Sequence, residues 1–295
     1  MFKTILAPVT PSASCEQAAD AAISLAKRFG SELVIIHVHG FEHRWGEAEL
    51  LAAPGELKDV REGIGKHFAA RLEGVAAHSF AVEQGVPHVE ILRKARELGA
   101  DLIVMCPHRR ELPRMPKPVW NSVGNTTERV ISLSQCPVML VNRPLKREEP
   151  VLASILATTG LTVKDQAGVH YAAQLARKSG ARLTVLNVLD TDTPEGNAPQ
   201  EGIARVIGER KDRMASEYGG MVQGVAGVEY ECLEGQTVVE ILKAARTRRA
   251  DAIVMAHLGG EEDLDCAFEL STVIHVACTA LCPVVSVNRK FDMPG

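Results

Sequence analysis

The sequence predicts an α/β fold built twice, and three observations predict it. Short, nearly continuous apolar runs alternate with helical patterns, as in parallel sheets covered by helices. The same ordered set of residues recurs at an offset of 150. The length, 295 residues, suits two domains. The apolar runs of the first half are Thr4 to Val9, Leu33 to Val38, Leu102 to Cys106 and Val138 to Val141, with Ala76 to Val82 a weaker fifth. Each reads as a strand buried on both faces. Between them, Cys15 to Phe29 carries Ala18, Ala22, Leu25, Ala26 and Phe29 on one stripe, and Gly30 stops it. Val89 to Leu98 ends at Gly99, Asn121 to Ser134 is the last helix, and Glu42 to Leu72 reads as mostly helical with looser patterning.

The repeat extends from end to end. Ile5-Leu6-Ala7 lies over Ile155-Leu156-Ala157, and Leu25 to Leu33 over Leu175 to Leu183. Gly85 lies over Gly235, and each is followed by a VEIL segment, Val89 to Leu92 and Val239 to Leu242. Asp101 to Met105 lies over Asp251 to Met255. Near the ends the offset falls to 146, where Cys136-Pro137-Val138 meets Cys282-Pro283-Val284. The period is far longer than a solenoid repeat, so the sequence describes a duplicated domain. The polar, proline-bounded stretch Arg143 to Pro150 reads as the linker, which sets the domains at 1–146 and 147–295. The first half is net basic and the second net acidic.

Composition excludes several classes. With 46% hydrophobic and 24% charged residues the chain is an ordinary globular protein. No apolar run approaches the ~20 residues of a membrane span, and Met1 to Val9 enters a strand pattern without a cleavage site, so neither a span nor a signal peptide is expected. Seven scattered cysteines fit reduced thiols in a cytoplasmic protein. A net charge of -4 and 4% aromatic residues argue against a nucleic-acid partner. G-x-S-x-G, G-x-x-x-x-G-K-[ST] and G-x-G-x-x-G are all missing, so no enzymatic chemistry is expected. Glu231 and Glu234 flank a predicted strand end without identifiable partners.

Taken together, ILAPV near the start, LVIIHV, G-x-P (Gly85, Pro87), DLIVM, TERV (Thr127 to Val130) and CPVMLVN, largely repeated in the second half, resemble the universal stress protein family. The resemblance implies a tandem member with two doubly wound, Rossmann-like, five-stranded parallel sheets of strand order 3-2-1-4-5, one per repeat. Its ligand crevice lies at the switch between strands 1 and 4. It further implies a stress-response protein in the cytoplasm, acting through a protein partner or a small ligand. The two halves then form an internal pseudo-dimer, with a homodimer of whole chains left open.

ATP-binding members, as the resemblance has it, carry an Asp after strand 1, a Val near the end of strand 2, and G-x-x-G, nine residues, then G-[ST] after strand 4. Here Thr10 takes the Asp position of the first half, and Val38 is kept. Cys106-Pro107-His108-Arg109 replaces G-x-x-G, and Gly124-Asn125 replaces G-[ST] after a spacer five residues too long. Pro107 also removes an N–H donor. The insert Arg109 to Pro118 holds Arg109, Arg110, Arg114 and Lys117, which read either as a solvated loop or as side-chain partners for phosphate. In the second half Gly160 takes the Asp position and Val188 is kept. Ala256 replaces the first Gly, Gly259 keeps the second, and Leu270-Ser271 replaces G-[ST] after a spacer one residue too long. The acidic run Glu261 to Asp265 in that loop repels a triphosphate. ATP is thus the candidate cofactor, on degenerate motifs in both halves. The alternative reading is a sensor that binds a nucleotide, or a metal ion, in the first-half crevice. For a metal, His39, Cys106 and His108 are the candidates near Thr10, with His37 and His39 two apart on one strand. Against that stand His37 as a satisfied core residue and Cys106 as a small buried hydrophobe. Cys278 and Cys282 straddle a helix end and a strand start and read as buried thiols.

Overall fold

The computed structural model describes residues 2–10, 12–39, 54–107, 125–143, 152–162, 165–196, 199–257 and 272–288. These fall into two compact units, one within residues 2–143 and one within 152–288.

In the first unit the elements run β1 (Thr4–Pro8), α1 (Ala13–Phe29), β2 (Glu32–His39), α2 (Pro54–Phe68), β3 (Ala77–Gln84), α3 (Pro87–Leu98), β4 (Leu102–Met105), α4 (Asn125–Leu133) and β5 (Val138–Leu140). All strand pairs are parallel, in the order β3-β2-β1-β4-β5. Ile5 pairs with Leu33 on one side and Leu102 on the other, so β1 is central. Ile5, Leu6 and Ala7 are fully buried. The edge strand β3 is half-exposed, which explains why its sequence alternates weakly.

The second unit repeats this. It runs β6 (Ser154–Thr158), α5 (Gln166–Ser179), β7 (Arg182–Asp190), α6 (Gln200–Tyr218), β8 (Val228–Gly235), α7 (Thr237–Thr247), β9 (Ala252–His257), α8 (Thr272–Thr279) and β10 (Val284–Asn288). Its strands are again parallel, in the order β8-β7-β6-β9-β10.

The order dictates the layering. In the first unit, two crossovers step one way from β1 and two step back past it. Right-handed crossovers then put α1 and α2 on one face and α3 and α4 on the other. Consistent with this, α3 packs on α4, and in the second unit α7 packs on α8 and α5 on α6.

Local chemistry fixes the ends. Ser12 caps α1 by accepting from the Cys15 N–H at 3.3 Å, and Gly30 closes it in the left-handed region at φ 64°. Ala18, Ala22, Leu25 and Ala26 form its buried stripe. Asp101, just before β4, accepts from the Lys3 and Thr4 N–H groups at 2.7 and 2.9 Å, and so pins the start of β1. Asp251 does the same for Ala153 and Ser154, at 2.9 and 3.0 Å.

Boundaries shift by a few residues from the sequence reading. Helix α2 stops at Phe68 and not at Leu72; one further turn follows with the Leu72 N–H on the Phe68 carbonyl, then a tighter one with the Val75 N–H on the Leu72 carbonyl, where Gly74 adopts φ 84°. Glu231 lies within β8 and has a partner, Arg248 at 3.0 Å. No helix among the described residues is long and apolar enough to cross a membrane.

Candidate functional site

The strand order reverses between β1 and β4, and the turn from β1 into α1 lies at that switch. Thr10, just past β1, is exposed. Its hydroxyl lies 3.1 Å from Cys15 Sγ and 3.3 Å from Ser12 Oγ. Cys15, in the first turn of α1, lies 3.0 Å from the Sγ of Cys106, the residue that follows β4. Both sulfurs are buried. The Cys106 carbonyl accepts from the Thr127 hydroxyl at 3.2 Å, which fastens the end of β4 to α4.

This contact splits the two thiols. The Cys15 thiol is lowered to about 5, first by its bond with Cys106 and then by Ser12 and Thr10, against the opposing pull of burial. The start of a helix also favours a thiolate. Cys106 is driven far up, by serving as the proton donor to Cys15 and by burial. The contact thus makes Cys15 the more acidic sulfur of the pair and Cys106 the less acidic.

The second unit builds the same turn with other residues. Asp165, at the position of Cys15, accepts from the Gly160 N–H at 3.0 Å, the Thr162 N–H at 2.9 Å and the Thr162 hydroxyl at 2.8 Å. Leu161 takes a left-handed φ of 59°, with its N–H on Thr159 Oγ1 at 2.9 Å. Behind it, Thr159 Oγ1 meets the buried Tyr218 hydroxyl at 2.7 Å, and Arg213 donates to the Leu161 carbonyl at 2.9 Å. Gly168 of α5 lies against Ala256, so closely that a Cβ there would meet the Ala256 nitrogen at 3.0 Å.

The other predicted residues are placed as follows. His37 Nδ1 lies 2.9 Å from the Val9 carbonyl and is therefore the donor. Asn187, its counterpart, donates to the Thr159 carbonyl at 2.7 Å. His37 is thus a structural tie between β2 and the end of β1. His39 is exposed, with its ring 6.5 Å from that of His37. Val38 and Val188 are half-buried near the ends of β2 and β7. Gly85 and Gly235 sit at φ 153° and 147°, where a Cβ would press on Glu90 and Glu240 respectively. Asn125 opens α4. His108, Arg109, Gly124, Gly259 and Ser271 lie outside the described residues, as does most of each loop that follows β4 and β9. Among the described residues no group of three or more His, Cys, Asp or Glu could hold a metal ion. Cys136 and Cys282 are raised by burial, Cys282 to about 12.

Cys15 was not singled out by sequence reasoning. It is 91 residues from Cys106, and only the pairing of β1 with β4 brings them together. Thr10 lies against Cys15, Pro107 lacks an N–H, and the Gly160 and Thr162 N–H groups of the second unit's turn hold the Asp165 carboxylate.

Comparison with known proteins agrees with the duplication. A family model described as the universal stress protein family matches residues 1–142 and again 153–288. Universal stress protein MJ0531 of Methanocaldococcus jannaschii is 34% identical over 158 residues, 50% of this chain and 85% of that protein. Universal stress protein Sll1654 of Synechocystis sp. is 35% identical over 147 residues, 48% of this chain and 86% of that protein. The crystal structure of a universal stress protein from Archaeoglobus fulgidus superposes with a TM-score of 0.70 at 17% identity, over 97% of this chain and 96% of that one. With its two halves matched in turn, the chain belongs to the universal stress protein family and carries two such domains in tandem.

Proposed function

We propose that this tandem universal stress protein is a non-enzymatic stress-response module whose two nucleotide motifs are both degenerate. One observation carries the reading. In each unit the turn after the first strand is occupied by a side chain of the protein itself, Cys15 in one and the Asp165 carboxylate in the other. An anionic ligand meets like charge at the second turn and finds polar groups already bonded at both. The substituted positions support the same reading: Thr10, Cys106, Arg109 and Asn125 in the first half, and Gly160, Ala256 and Leu270 in the second, although Gly124, Gly259 and Ser271 keep the motif's residues. The domains meet at 146/147, the halves act as an internal pair, and the protein works in the cytoplasm through a protein partner.

Thermal unfolding of metal-stripped protein tests this, alone and with Mg–ATP, AMP or Zn²⁺. The expected result is an unchanged midpoint with each. A ligand at a hundredfold excess over its Kd would stabilise the protein by about 2.7 kcal/mol. A shift of that size, lost in an Arg109→Ala/Arg110→Ala variant, would replace this reading with the nucleotide sensor. A zinc shift that depends on Cys106 would replace it with a metal site.

A further inference from the structure

We propose that Cys15 and Cys106 form a reversible disulfide site whose oxidising substrate is a small hydroperoxide. The geometry carries this. The sulfurs are 3.0 Å apart, inside van der Waals contact and about 1 Å beyond a disulfide bond length. They sit on two elements locked in place by neighbouring strands, the start of α1 and the end of β4. Exposure selects the size of the oxidant: Cys15 is 6% exposed and Cys106 3%, so burial excludes a bulky disulfide and favours the smallest oxidants at the slightly more exposed Cys15. The Thr10 hydroxyl, 3.1 Å from Cys15 at the exposed end of the turn, steadies the attacking sulfur.

The chemistry divides between the two residues. Cys15, the thiolate of the pair, attacks one peroxide oxygen. The O–O bond breaks, the sulfur becomes a sulfenic acid, and the departing oxygen leaves as water or an alcohol after taking a proton. The Cys106 sulfur then attacks Cys15 Sγ. The S–S bond forms, the S–O bond breaks, and the hydroxide leaves as water with the proton of Cys106. Two thiols have lost two electrons and two hydrogens, and one peroxide has been reduced. A dithiol reductant reverses the step by exchange. Burial raises Cys136, Cys232 and Cys282, and the side-chain contacts of Cys136 and Cys232 are to Ser134 and Asn187 and not to a thiol. The assignment stands whatever ligand or partner the crevice takes.

The test is peptide mapping of the full chain after one equivalent of hydrogen peroxide, followed by denaturation and alkylation of remaining thiols. The expected product is a link between tryptic peptides 4–27 and 97–109, with loss of two hydrogen masses and release by dithiothreitol. In a Cys106→Ser variant, oxidation stops at a sulfenic acid on Cys15 that a dimedone probe traps. A Cys15→Ser variant leaves Cys106 reduced. Folding of both is checked by cooperative melting, and the wild-type map decides alone if either fails to fold. The proposal is overturned if Cys15 and Cys106 both remain alkylatable in wild type, or if the link that forms joins any other pair, Cys266 included.

Discussion

Cys15 and Asp165 hold equivalent places in the two halves, and both occupy the turn after the first strand. The largest cause of the lowered Cys15 thiol is its contact with Cys106, so its titration reports that contact. Thiolate ultraviolet absorbance of the native protein should rise with a midpoint near pH 5, and Cys106→Ala should move that midpoint up toward the ordinary thiol range of about 8.5. An unmoved midpoint would mean the contact does not hold the thiolate. The linkage has a definite sign. A lowered Cys15 contributes stability that is fully present above the unfolded thiol pKa and is lost as pH falls through about 5. A raised Cys106 acts oppositely, stabilising below the unfolded pKa and losing that contribution as pH rises past it. The pair therefore favours the native state most strongly near the unfolded thiol pKa. The melting temperature of the wild type, relative to a Cys15→Ala/Cys106→Ala variant, should peak there. Asp165→Ala should cost about 1–3 kcal/mol, because two backbone N–H groups and a hydroxyl lose their acceptor. Denaturant unfolding measures it.

At the level of elements, the two central strands are each held at their start by one carboxylate. Asp101 takes the N–H groups of Lys3 and Thr4, and Asp251 those of Ala153 and Ser154. Either Asp→Ala substitution should cost about 1–3 kcal/mol in its own unit, and Asp→Asn less, since the amide oxygen still accepts. Urea titration of the four variants checks this, and equal stability of Asp101→Ala and wild type would contradict it. The strands themselves were legible in the sequence because buried parallel strands need apolar side chains on both faces, as Ile5 to Ala7 and Leu102 to Met105 have. Strand β3 was the weakest signal because an edge strand buries less. The site was less legible. That Cys106 and Pro107 follow the fourth strand could be read directly. What lies against them could not. The Cys15–Cys106 pair is a product of strand order, and the Asp165 turn depends on Leu161 taking a left-handed backbone that its residue type does not advertise.

Across the whole molecule, duplication has kept the scaffold and let the crevice chemistry drift apart. Asp101 matches Asp251 and Gly85 matches Gly235, while His37 has become Asn187 with the same carbonyl still bonded. Thr10 has become Gly160, and Cys15 has become Asp165. Residues that build the fold are shared, while the turn after the first strand differs between the halves at Thr10 and Gly160, Cys15 and Asp165. On the proposed reading neither turn accepts a nucleotide phosphate. Equilibrium dialysis of the full, reduced chain against labelled ATP with magnesium then gives equal label on both sides of the membrane. Saturable uptake of one or two nucleotides per chain would contradict it, and competition by inorganic triphosphate would show that a phosphate site survives.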